Sequence, residues 1–148
     1  MGSNRGFWQI VIALLVGGIA LVLLVIAFRP FARSGAVAYA QSNLDKTAAA
    51  ARAIAEEKGT LAQATALGLR AQPEVSDLLM IDPDTSSNNP EIISVYARQD
   101  SWTGAARADT GECFWIRIEA DGTTVRGTGT DCRAEDAAKA PAGAWPSP

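Results

Sequence analysis

Two cysteines, Cys113 and Cys132, nineteen positions apart, are the side chains with most chemistry to offer, in a chain that has no histidine. Without imidazole the commonest general base is gone, and so are the usual transition-metal ligand and every Ser-His or Cys-His nucleophile arrangement. Two cysteines alone also fall short of the four ligands that a structural zinc site takes. They can form a disulfide, closing a loop of about 20 residues and stabilising by about 3 kcal/mol on the chain-entropy account. Two unpaired buried thiols in a reducing compartment are the competing reading. An even count in a small domain favours the bond.

No other constellation rises to a site. Asp82, Asp84, Asp109, Asp121, Asp131 and Asp136 are scattered through turn-rich stretches, and no spacing among them repeats a calcium loop. They read as solvated turn carboxylates. Ser34, Ser42, Ser76, Ser101 and Ser147 lack a G-x-S-x-G elbow as well as a histidine. Gly127-Thr128-Gly129 neither precedes an apolar helix nor carries a lysine, so it is no phosphate loop. Trp102, Trp115 and Trp145 could form an exposed binding patch, but Trp115, two positions from Cys113 on one strand face, reads as packing around the disulfide. We therefore expect no catalytic residue, no cofactor and no metal ligand: not an enzyme. Net charge is −3 with Lys and Arg scattered singly, which gives no phosphate-binding stripe and no direct nucleic-acid partner.

The elements that would carry the cysteines follow from periodicity. Phe7 to Phe28 holds one polar side chain, Gln9, and no charge; as a helix it would be about 33 Å long against a ~30 Å hydrocarbon layer. It reads as a transmembrane helix after a short cytoplasmic leader, residues 1–6, with the membrane as a partner. A cleaved signal peptide ending at Ala36-Val37-Ala38 is the alternative. Arg5 before the run and Arg29 and Arg33 after it nearly tie on charge, so the disulfide decides orientation. The expected protein is single-pass, N-terminus cytoplasmic, with residues 29–148 as an extracytoplasmic head.

Within the head, residues 36–58 are Ala-rich, with an apolar stripe at Val37, Leu44, Ala48, Ala51 and Ile54 or Ala55, and Gly59 is a stop signal. Thr60 to Ala71 predicts a short second helix. The sheet region spans residues 78–132. Leu78–Ile81 is a compact apolar run, Ile92–Tyr96 a strand, and Asp100–Gly111 a polar stretch that is either loop or edge strand. Cys113–Ile118 is the clearest strand, returning through an Asp121-Gly122 hairpin turn to residues 123–126. From Ala134 the Ala/Pro-rich tail reads as irregular. The fold class is α+β: a transmembrane helix continuing into a long amphipathic helix packed on a small antiparallel sheet.

That order resembles the type IV pilin-like superfamily, including type II secretion pseudopilins, over essentially the whole chain. Arg5-Gly6-Phe7 resembles a prepilin cleavage junction, with Gly6 and Phe7 flanking the cut. Lys58-Gly59-Thr60 resembles the turn ending the long helix of Gram-positive members. Gly111–Ile116, Gly122–Gly129 and Cys132 resemble their cysteine-stapled C-terminal hairpin. The resemblance implies a structural filament subunit that assembles through its N-terminal helix. Its implied partners are other pilin-like subunits and a prepilin peptidase. Val11 stands fifth after the junction, where the family usually carries glutamate, which implies an atypical or minor subunit. The other class of function is an unprocessed single-pass anchor bearing an extracytoplasmic binding module.

Overall fold

The computed structural model describes residues 4–146, with side chains described from 14 onward except 21 and 24–32. Helix α1 runs Asn4–Lys58 and ends where Gly59 takes a φ of 77°, its amide donating to Ala55 O at 2.8 Å. The described chain divides into two compact units between Ser34 and Gly35.

In the first unit, Leu14, Leu15, Val16, Ile19, Val22 and Leu23 are all exposed, between 55% and 71%. Among the described residues no helix is long and apolar enough to cross a membrane. The transmembrane helix over Phe7–Phe28 is corrected accordingly, together with the single-pass localisation and the membrane anchor that rested on it. The described apolar side chains of that run lie between 14 and 23, about 15 Å of helix axis, roughly half a bilayer's hydrocarbon thickness. Gly6 and Phe7 fall inside α1 with their side chains outside the described residues, as is the start of the expected leader.

The second unit is a sheet between two helical layers. Five strands lie in chain order: β1 Leu79–Ile81, β2 Ile92–Ala97, β3 Ser101–Arg107, β4 Cys113–Glu119 and β5 Thr124–Gly129. A short helix α2, Ala66–Arg70, with Thr65 Oγ1 accepting from Gly68 N at its start, precedes β1. Helix α3, Ala134–Ala137, follows β5. The expectation of an antiparallel sheet is also corrected: β2 to β5 are antiparallel, but β1 pairs with β2 in parallel, Met80 opposite Ile93. Two parallel neighbours cannot be joined by a tight turn, and residues 82–91 supply the long return.

One face of the sheet buries Met80, Ile93, Val95, Trp102, Phe114, Ile116 and Ile118 together with Val37, Ala40, Leu44, Ala48, Ala51 and Ile54 of α1. The α1 positions recur at steps of three and four, the period of one helix face. Ala side chains in that stripe let the helix approach closely, and Leu44 Cδ2 reaches to within 3.4 Å of where a Cβ on Gly104 would stand. Asn43 on the same helix donates to Pro90 O at 2.8 Å, so its burial leaves no orphaned amide. On the opposite face Ala105 and Trp115 pack against Ala137 of α3.

Both sheet edges are occupied. Leu79 N donates to Glu91 O, which with the parallel register turns the Met80 amide and carbonyl away from β2. Arg70, at the end of α2, donates to that outward Met80 O through Nε at 3.1 Å and through Nη2. At the far edge, Gly143 N donates to Arg126 O at 2.9 Å, so the tail runs as a single bridge beside β5. Unpaired edges template unwanted strand pairing, and here a guanidinium and a tail segment cover them.

Candidate functional site

Cys113 opens β4 opposite Gly129, and Cys132 lies three residues beyond that partner, so the β4–β5 hairpin itself brings the two cysteines together. They form the disulfide, with Cα atoms 5.4 Å apart and both residues buried. The bond holds a segment that has few apolar side chains of its own. Cys132 O accepts from Ser87 N at 2.8 Å, Ala134 N donates to Ser94 Oγ at 2.9 Å, and Glu135 N donates to Pro83 O at 3.1 Å. These bonds seat α3 on the sheet.

Trp115 is the centre of that seat. Its indole Nε1 donates to Thr128 O at 3.2 Å, and the ring lies over Gly127, where a Cβ would stand 2.2 Å from Trp115 Cζ2. Arg117, two residues on, holds its guanidinium 5.6 Å from the same ring centroid and donates through Nη1 to the carbonyls of Ala137, Ala138 and Ala140 at 3.0–3.3 Å. A cation on the last carbonyls of a helix satisfies acceptors that the helix leaves open. Glu119 pairs with Arg117 Nε at 2.6 Å, so the charge is not left alone.

Beyond α3 the chain returns along β5 and inserts Trp145. Its Nε1 donates to Trp115 O at 3.0 Å and to Gly127 O at 3.2 Å, while the ring meets Phe114 edge-on at 6.4 Å and 82°. Arg126 covers the ring at 4.9 Å and pairs with Asp45 of α1 at 2.7 Å. Gln41, also on α1, donates to Pro146 O at 3.2 Å. Beside this strap of residues 143–146, between Phe114, Thr128, Ala144 and Pro146, a shallow cleft of about 510 Å³ stays open.

The remaining sequence candidates are dispersed. Asp131 and Asp136 face Arg133, at 3.9 and 2.7 Å, and Asp121 accepts from Thr123 N at 2.8 Å in the hairpin turn, where Gly122 has a φ of 83°. Hydrogen bonds from Thr123 hold the Asp121 carboxyl below its ordinary value. Among the described residues no group of three or more His, Cys, Asp or Glu side chains converges as a metal site would require. Gly127 and Thr128 belong to β5 and serve Trp115. The sequence reading missed Gln41, Asp45 and Arg126, and weighed Trp145 only as part of an exposed patch with Trp102 and Trp115.

No protein family, curated protein or solved structure matches this chain, and so none identifies it as pilin-like. Function has to be argued from the surfaces. The arrangement around the disulfide braces α3 and the C-terminal segment on the sheet.

Proposed function

We propose that this chain is a structural subunit, not an enzyme, which assembles with like subunits through the N-terminal part of α1 in the manner of a pilin or pseudopilin filament. The observation that carries the reading is the exposure of Leu14, Leu15, Val16, Ile19, Val22 and Leu23. At 100° per residue, positions 14, 15 and 16 already point to three different sides, so a single neighbour cannot cover them. Several helices packed around one another can, and the area they remove from water drives the association at about 25 cal/mol per Å². A head with a disulfide and covered sheet edges suits a subunit whose filament contacts run through its helix. On this reading Gly6 and Phe7 flank the processing junction and a prepilin peptidase is a partner.

The test is assembly. Ile19→Lys and Leu15→Glu are expected to abolish the sedimenting, filament-forming fraction seen by negative-stain electron microscopy, while the thermal melt of the head stays unchanged. A wild-type chain that remains monomeric at high concentration, or variants that assemble like wild type, overturns the reading.

A further inference from the structure

We propose that the C-terminal strap is exchangeable, so that residues 143–146 of one copy seat on the β5 edge of a second copy and join two heads. The inference uses none of the exposed run of α1 and stands apart from the filament reading. Its basis is what holds the strap. Among the described residues its contacts are to other parts of the same head: Gly143 N to Arg126 O, Trp145 Nε1 to the carbonyls of Trp115 and Gly127, the Trp145 ring to Phe114 and Arg126, and Pro146 O to Gln41 Nε2. The receiving groups therefore exist unchanged on any second copy.

Closed and exchanged forms then make the same bonds and bury the same indole. They differ in the hinge and in the entropy of association, which concentration offsets. The hinge is short and marked. Arg117 holds the carbonyl of Ala140, the bridge to β5 resumes at Gly143, and only Pro141 and Ala142 lie between. Pro141, Ala142, Gly143 and Ala144 are all exposed, so the strap is attached through Trp145 and a few backbone bonds rather than by a buried run. Proline fixes one backbone torsion in a linker of two residues, and short, constrained hinges are where segments exchange between copies. With the strap lifted, Arg126 O becomes an open edge acceptor with an empty indole slot beside it, and the matching segment is the same Gly143–Pro146 of a neighbour.

The bridge pair gives the experiment. Gly143 tolerates a side chain, since a Cβ there meets nothing closer than Gly127 Cα at 3.7 Å. Full-length chain carrying Arg126→Cys is mixed with full-length chain carrying Gly143→Cys and oxidised mildly, with the native disulfide verified by peptide mapping. Exchange is expected to give a covalent dimer in the mixture and none in either variant alone. Adding Trp145→Ala to the Gly143→Cys copy should reduce it to the single-variant level. A chain carrying both substitutions reports the strap's own placement by closing the bond within one molecule. If that intrachain bond closes and the mixture still yields no dimer, exchange is overturned. If neither bond forms, the strap does not sit on β5 and the proposal falls with it.

Discussion

Gly127 has no space for a side chain, because the Trp115 indole occupies the volume above it, with Cζ2, Cε2 and Cη2 all within 3 Å of a built Cβ. The ring cannot retreat without leaving Thr128 O and the face of Arg117. Gly127→Ala is expected to destabilise the head by about 1–3 kcal/mol, the usual range for forcing atoms into a packed core, as read from urea unfolding. Gly143→Ala is the matched control and should change the midpoint little. Charge gives a second prediction at this scale. Lys46 Nζ reaches both carboxylate oxygens of Asp77, at 2.7 and 2.9 Å, and this hydrogen bonding chiefly holds the Asp77 carboxyl below its ordinary value. A carboxyl with a depressed folded pKa contributes stability above its unfolded pKa and loses it as pH falls through the folded one. The window therefore opens near pH 4 and extends downward. Acid unfolding of Asp77→Asn should show a shallower loss of stability over that range than wild type; equal slopes would mean that the contact with α1 carries no linkage.

At the scale of elements, the disulfide decides whether α3 and the strap remain attached. Cys113→Ser with Cys132→Ser is expected to lower stability by about 2–4 kcal/mol and to release amide protection from residues after Gly127, leaving the α1 residues from Val37 to Ile54 protected in hydrogen exchange. Equal protection after Gly127 in the variant would show that Arg117 and Trp145 suffice. The cysteine pair was legible because spacing, parity and the Asp121-Gly122 turn all pointed one way. The α1 stripe was legible because burial against a sheet imposes a period. Asp100–Gly111 was only half legible: read as loop or edge strand, it contains β3, the middle strand, where Gly104, Ala105 and Ala106 carry little strand signal. Their smallness is a packing requirement. A Cβ on Gly104 would stand 2.7 Å from Trp102 Cη2, and Ala105 pairs with Trp115, so the large rings on and beside β3 take the volume its own residues give up. The tail was unreadable for a related reason. Its attachment consists of backbone carbonyls and arginines from distant strands, which leave no periodic trace near residue 140.

For the whole molecule, the division between Ser34 and Gly35 carries the last prediction. The core against which the sheet packs begins at Val37, and polar links tie α1 to the rest of the head at Tyr39, which donates to Glu91 Oε1 at 3.0 Å, and at Gln41. Nothing in that core draws on a described residue before Gly35. A chain starting at Gly35 should therefore fold, with a near-ultraviolet spectrum and unfolding midpoint close to those of the full-length protein and with the Cys113–Cys132 bond intact. It loses the apolar surface of residues 14–23, so it should also form no filaments where the longer chain does. The paired outcome is informative because the two properties separate. Folding without filaments places the filament-forming surface in the first 34 residues, as the filament reading requires. Concentration-dependent dimers of the shortened chain that vanish with Trp145→Ala belong to the strap. Failure to fold would mean that α1 before Gly35 stabilises the head through contacts other than the core that buries Val37 to Ile54.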